Sequence, residues 1–270
     1  MLAVPEPLLD VLQRRFPDSS KTTLRKMLQG DRVRVNGAPE RDAKRMIGEG
    51  DRVEIAAKSE RLDPRVRIVF EDDDLIVIDK AAGLLTVANE QVLYETAEAF
   101  LNAYRPVQVV HRLDRDTSGV LVFARNAYVR ERLQELFAAH DIERVYIAIV
   151  HGKLKPPSGT FRSLLAEDKD LRVKSGSEGK EAVTHYRTIA SGRRYSMLEV
   201  TLETGRRNQI RVHLAEAGHP VLGDRMYGKR DDEFERLALH AKVLGFVHPR
   251  TGKKVTFTAE PPREFRELQL

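Results

Sequence analysis

The chain has 270 residues, 41% hydrophobic and 32% charged, with 46 Lys and Arg against 41 Asp and Glu for a formal net charge of +5. Its densest apolar run, Val120–Ala124, falls far short of the roughly 18 residues a membrane helix needs, and Met1–Glu6 carries no cationic head before an apolar run, so neither a spanning helix nor a secretory leader is expected. There is no cysteine, which excludes disulfide scaffolds, thiol catalysis and cysteine-held zinc together.

Residues 6–57 read as a small module. Leu8, Leu9, Leu12 and Phe16 recur at helical spacing. After Pro17-Asp18, Ser19 or Ser20 caps a second helix, Lys21–Gln29, which Gly30 stops. Val33, Val35 and the turn Asn36-Gly37 predict a short hairpin, and Gly50-Asp51 leads into a further strand at Arg52–Ile55. Within Ser19–Arg34, Lys21, Arg25, Lys26, Arg32 and Arg34 oppose the single Asp31, a local cationic patch suited to phosphates. The two short helices, the run Lys21–Leu28, the segment Gly30–Gly37 and Gly50–Val53 resemble the S-four-like RNA-binding domain, named after a protein of the small ribosomal subunit. That resemblance implies that Lys21, Arg25 and Lys26 contact RNA.

Residues 58–66, polar and containing Pro64, read as a linker, and residues 67–270 as a second domain. Ile68–Phe70 and Leu75–Asp79 predict paired strands around the acidic turn Glu71–Asp74. Val107–Val110 and Gly119–Ala124 are apolar strands flanking a polar loop. Asn126–Ala139 is an amphipathic helix with Val129, Leu133, Leu136 and Phe137 on one face, and Val145–Val150 is a strand. Residues 155–181, rich in Pro, Ser, Gly and charge, read as an exposed excursion. Tyr195–Leu202, Gln209–Leu214 and Lys253–Thr258 are further strand or strand–helix segments. Many strands with few intervening helices predict an α+β fold without regular βαβ winding.

The strongest local signal is His111–Gly119, read as His-Arg-Leu-Asp-Arg-Asp-Thr-Ser-Gly. A polar loop held between rigid strands can expose and fix a reactive group, although Asp, Thr, Ser and Gly also favour plain turns. The run resembles the H-R-L-D-x-x-T-S-G signature of the large-subunit ribosomal RNA pseudouridine synthases of the RluA, RluC and RluD group. Further blocks resemble that family in its order: Asp73–Lys80 with Ala82-Gly83-Leu84, Val145–Gly152, Gly179–Thr184, Thr204–His213, Gly218–Asp224 with Tyr227-Gly228, Leu239-His240-Ala241 and Phe246–Pro249. Three departures stand out: Ala81 replaces a usual Pro, Thr86–Asn89 replaces a Val-His-Pro-like turn, and Asn208 stands where His is frequent.

The resemblance implies a mixed, largely antiparallel β-sheet core with flanking helices, preceded by the small α/β RNA-binding domain. It implies an isomerase that breaks the bond from the ribose carbon to the uracil nitrogen, turns the base and rejoins it through carbon. That reaction has no redox step and no phosphate transfer, so no cofactor is required. Asp114 is implied as the catalytic carboxylate, acting as nucleophile or base, with Asp116 a non-catalytic neighbour. Arg211 is implied to pair with the catalytic aspartate, Tyr146 to stack on the target base, and Leu239 to touch its other face. Arg112, Arg115, Arg206 and Arg207 are candidates for contacts to phosphates or for extruding the base.

His213 with His219, or His240 with His248, fit no standard metal-ligand spacing, so no metal is expected. The expected partner is RNA, most simply large-subunit ribosomal RNA or a pre-ribosome, met by a cytoplasmic monomer. Competing readings are a transfer-RNA pseudouridine synthase, a non-catalytic RNA-binding protein of ribosome assembly, and a hydrolase that cleaves the glycosidic bond to water.

Overall fold

The computed structural model describes residues 5–29, 32–55, 62–92, 95–169, 172–228 and 234–268. The chain divides into two compact units, Met1–Asp63 with Ala88–Pro106 and Pro64–Val87 with Val107–Leu270.

In the first unit, a two-stranded pair, β1 (Glu6–Pro7) with β4 (Met46–Ile47), adjoins α1 (Leu8–Arg15) and α2 (Lys21–Gln29). Of the two serines that precede α2, Ser20 is the cap: its hydroxyl accepts the Thr23 N–H at 3.1 Å. Leu24, Met27 and Leu28 of α2 pack with Leu8, Leu9 and Leu12 of α1 in one apolar cluster. A three-stranded antiparallel sheet follows in the order β3 (Ala38–Pro39), β2 (Val33–Val35), β5 (Val53–Ile55). Asn36 and Gly37 both take positive φ, 55° and 82°, as a two-residue hairpin turn requires. Helix α3 (Ala97–Tyr104) belongs to this unit and is capped by Thr96, which accepts the Ala99 N–H. Gly30, expected to stop α2, and residues 58–61 of the expected linker lie outside the described residues.

The second unit is built on one sheet. Its strands among the described residues are β6 (Val66–Glu71), β7 (Leu75–Lys80), β8 (Gln108–Val109), β9 (Ser118–Ala124), β10 (Glu143–His151) and β11 (Ser158–Glu167), then β12 (Val173–Gly176), β13 (Lys180–Ser191), β14 (Tyr195–Leu202), β15 (Leu239–Val247) and β16 (Lys254–Thr258). They run β12-β11-β13-β14-β10-β15-β9-β7-β6, with β8 on β9 and β16 on β15. Helices α4 (Ala127–Ala138), α5 (Gln209–Glu216) and α6 (Arg263–Glu267) complete the unit. The pairings are antiparallel except where β15 meets β9, in parallel, through His240 opposite Ser118 and Ala241 opposite Gly119. This is the α+β, largely antiparallel architecture the sequence predicts. Every residue of β9 is buried, as a continuous apolar run in a sheet covered on both faces should be. Asn126 caps α4 by accepting the Val129 N–H, and Val129 and Leu133 face inward.

One expectation is corrected. Residues 155–181 contain β11 and β12, which pair with each other, and β11 pairs in turn with the long β13. Exposed and partly buried positions alternate along β11, and Leu165, Val173 and Ala182 bury inward with Val212. A strand that shows one face to water has a loop-like composition on that face, and only its period of two reveals it. The segment Gln209–Leu214 lies wholly in helix α5.

Gly119 is the second residue of β9, at the parallel junction with β15. Its φ is +116°, and a Cβ there would lie 2.1 Å from the Ala241 carbonyl oxygen. Gly119→Ala is therefore expected to cost about 1–3 kcal/mol from backbone strain and overpacking. Calorimetry should show a lower Tm; an unchanged Tm would mean that β15 and β9 separate without penalty.

Candidate active site

The loop between β8 and β9 carries Asp114 and is pinned on both sides of it. Before it, Thr86 Oγ1 donates to the Leu113 carbonyl at 2.9 Å and accepts the Leu113 N–H at 3.1 Å. After it, Lys80 Nζ donates to the Arg115 carbonyl at 3.1 Å and to the carbonyls of Ala81 and Leu84 at 3.0 and 2.7 Å. Lys80 is fully buried, and burial lowers its ammonium to about 7 against the pull of Asp116 and Asp114. Where the loop enters β9, Ser118 Oγ meets His240 Nδ1 at 2.8 Å and accepts from Arg236 at 2.7 Å. A carboxylate on so braced a loop has one position rather than many.

Asp114 opens on a cleft of about 560 Å³ that is also lined by Arg112, Tyr146, Arg206, Arg211 and Leu239. The structure thus brings together the residues expected to serve the reaction. Tyr146 is two residues beyond Arg144 on β10, opposite the register shift that leaves Lys242 of β15 as an extra residue. Leu239, buried, begins β15. Arg112 is exposed, and Arg206 donates its Nε to the Glu181 carbonyl at 2.9 Å. Lys21 and Arg25 are exposed on α2 of the first unit, with Arg34 exposed on β2; the Lys26 side chain lies outside the described residues.

Arg211, on α5, differs in one respect from its expected role. Its Nε and Nη2 grip the two oxygens of Asp224 at 2.7 and 2.8 Å. Its Nη1 donates to Asn208 Oδ1 at 2.9 Å and lies 3.6 Å from Asp114 Oδ2. The guanidinium sits 5.1 Å from the centre of the Tyr227 ring. Asp224 in turn accepts the backbone N–H groups of Met226 and Tyr227 at 2.9 and 3.0 Å. Arg211 is thus a fixed cation anchored by Asp224, presenting one N–H edge to Asp114. Asn208, one of the three departures noted in the sequence, takes a left-handed φ of 53° and serves as the third acceptor.

Electrostatics separate the two carboxylates. Burial raises the Asp114 carboxyl above the usual carboxylate range, while Arg211, Arg112 and Arg207 pull it back. Burial also opposes the charge of Asp224, but the Arg211 fork and two backbone donors outweigh it and hold that carboxyl low. Burial pushes the Tyr146 phenol up to about 12, so it stays neutral beside Asp114. His111 stacks on Phe137 with ring centroids 4.4 Å apart, and burial lowers it to about 3. It is a neutral wall whose Nε2 accepts the Val122 N–H at 3.3 Å.

The RNA pseudouridylate synthase family model matches residues 74–216, and the S4 domain model matches residues 6–53. The chain belongs to the RNA pseudouridylate synthase family. Among relatives of this synthase, one from Bacillus subtilis named uncharacterized RNA pseudouridine synthase YlyB is 35% identical over 93% of this chain and 89% of its own length. A Haemophilus ducreyi protein named ribosomal large subunit pseudouridine synthase D is 34% identical over 95% of this chain and 88% of its own. The solved structure of human RNA pseudouridylate synthase domain containing 1 superposes with a TM-score of 0.62 at 26% identity, covering 73% of this chain and 84% of that one.

Sequence reasoning missed four residues of this synthase. Asp224 ends the Gly218–Asp224 block without a side-chain signal of its own; Thr86 falls in the departing turn; Lys80 reads as a strand-end charge; Arg144 falls just before the apolar run Val145–Val150. Among the described residues, no helix is long and apolar enough to cross a membrane.

Proposed function

We propose that this synthase isomerises uridines of large-subunit ribosomal RNA, with Asp114 as the catalytic carboxylate, Tyr146 and Leu239 holding the two faces of the extruded base, and Arg211 orienting Asp114. The observation that carries the reading is the single cleft in which Asp114, held 3.6 Å from an anchored Arg211, faces Tyr146 and Leu239. The name of the Haemophilus ducreyi relative supports the ribosomal substrate. In the reaction the C1′–N1 bond breaks, the ring turns, the C1′–C5 bond forms, and the proton lost from C5 is balanced by one gained at N1. Extruding the base costs a few kcal/mol of stacking, which ring contacts in the cleft offset. Arg112 and Arg206 line the route for phosphates, and residues 6–57, joined by the 58–66 linker to a catalytic domain at 67–270, hold the RNA through Lys21, Arg25 and Lys26. The protein acts as a cytoplasmic monomer.

The test is pseudouridine mapping on unmodified large-subunit ribosomal RNA and on transfer RNA incubated with the purified chain. Conversion at one or a few ribosomal uridines is expected. Conversion of transfer RNA alone would move the substrate, and free uracil with abasic RNA would replace isomerisation by hydrolysis. For the first unit, the affinity for RNA is expected to fall steeply with salt. Replacing both Lys21 and Arg25 by alanine should flatten the slope of log K against log salt by about 1–2. An unchanged slope would remove this face from the RNA interface.

A further inference from the structure

We infer that Arg144 grips a carbonyl oxygen of the extruded uracil and makes the site select uracil over cytosine; the inference rests on the function proposed above. Arg144 lies on β10 two residues before Tyr146, so the two side chains leave the same face of the strand, and both line the cleft. Arg144 is 7% exposed. Its Nη2 donates to the carbonyls of Glu203 at 2.7 Å and Leu202 at 3.4 Å, while its Nε is buried with no partner. No carboxylate pairs with it among the described residues. The guanidinium lies 5.8 Å from the centre of the Phe137 ring, which stacks in turn on neutral His111. Gly205 leaves room for it, since a Cβ there would stand 2.6 Å from Arg144 Nη1.

A buried cation with no counter-charge and an idle donor is costly. In a cleft, that cost is recovered when a ligand brings an acceptor. A phosphate would be met by Arg112, exposed on the cleft, and by Arg206, which also lines it; only a group that leaves water reaches Arg144, and in an extruded nucleotide that group is the base. Arg144, Tyr146 and Asp114 line the same cleft, and among the described residues Asp114 pairs with Arg211, leaving Arg144 for the base. With the ribose at Asp114, the uracil edge remote from N1 and bearing O4 points at the guanidinium. Exchanging N1 for C5 at the ribose carbon turns the ring about its N3–C6 line, which puts O2 where O4 had been. A donor at this place finds a carbonyl before and after the turn. Cytosine brings an amino donor there in its substrate orientation, leaving donor against donor. As the C1′–N1 bond breaks, negative charge spreads onto the uracil oxygens, and a preorganised cation favours that state over the starting one.

The experiment uses the full chain, Arg144→Met, Arg144→Lys and Gly205→Ala, with uridine 5′-monophosphate and cytidine 5′-monophosphate as calorimetric probes. Wild type is expected to favour the uridine nucleotide about 10-fold, and Arg144→Met to bind both within about twofold. Gly205→Ala keeps the arginine but crowds its Nη1, and should show a reduced preference even where Arg144→Met folds poorly; Arg144→Lys should retain part of it. In single-turnover assays at saturating RNA, Arg144→Met should slow conversion about 10²-fold with RNA Kd changed less than about threefold. Equal or undetectable binding of the two nucleotides by wild type overturns the inference. So does an Arg144→Met enzyme with full rate and a flatter salt slope, which would make Arg144 a phosphate contact. A protein that isomerises no RNA yet prefers the uridine nucleotide through Arg144 would sink the proposed function alone; an active enzyme without the preference would sink only this inference.

Discussion

Asp114→Asn is expected to abolish pseudouridine formation, by about 10⁴-fold or more, while raising the Tm of the protein at pH 7. Asparagine has the same shape but neither the charge nor the basicity, so the reaction loses its carboxylate and the loop keeps its braces at Thr86 and Lys80. The stability gain follows from the direction of the shift. Burial holds the folded-state carboxyl above its ordinary value despite Arg211, Arg112 and Arg207. Below the unfolded-state value both states are protonated and the group contributes nothing; the penalty builds as pH rises from the unfolded-state to the folded-state value, where the unfolded chain has already ionised, and at neutral pH the full penalty is present. Wild type and variant should therefore differ in Tm at pH 7 and converge on acidification. The same shift places the acid limb of wild-type activity above that of an unperturbed aspartate. RNA affinity should stay within about threefold, since the side chain is only 26% exposed and the loop is unmoved. Residual conversion near wild type would leave Asp114 a structural carboxylate, and a lower Tm in the variant would show that the Arg211 contact outweighs burial.

What the sequence made legible follows from how local the cause was. The His111–Gly119 loop stood out because its polar residues interrupt two apolar strands, and Ser20 and Asn36-Gly37 announced their cap and turn through residues acting on neighbouring backbone. Tyr146, Arg211 and Leu239 were named through the family likeness, and the cleft does gather them around Asp114. The anchoring of Arg211 was not legible, because Asp224 reaches it only through the chain reversal between α5 and β15. Arg144 reads on β10 as a stray charge, and its burial depends on Phe137, Leu202 and Gly205, which three other segments supply. Helix α3 and strand β11 went unread for opposite reasons. The helix is short, with Ala97 and Leu101 its buried residues; the strand shows water a face whose composition is that of a loop.

Asp224→Ala should be the most damaging single change outside the catalytic loop. The Asp224 side chain has no exposure and that of Arg211 has 10%, so removing the carboxylate leaves a buried guanidinium with one firm acceptor, Asn208 Oδ1. Breaking a buried pair from one side costs about 3–5 kcal/mol, which in a domain of this size lowers Tm by roughly 6–20 °C. The N–H groups of Met226 and Tyr227 lose their acceptor as well. Freed from its fork, Arg211 can turn wholly to Asp114, 3.6 Å away, and a full ion pair there would lower the Asp114 carboxyl and pull it from the ribose. The expected signature is a fall in kcat with an acid limb moved to lower pH, at nearly constant RNA Kd. Asp224→Asn keeps one acceptor for the backbone donors and should lose less stability. Because the Asp224 carboxyl is held low, its stabilisation is present above the unfolded value and is lost as pH falls through the folded one. The Tm gap between wild type and Asp224→Asn should accordingly close on acidification, the same pH direction as for Asp114→Asn but with the variant below wild type. A variant that melts like wild type and keeps its acid limb would show that Asn208 and the Tyr227 ring suffice to hold Arg211, and that Asp224 serves only the turn it caps.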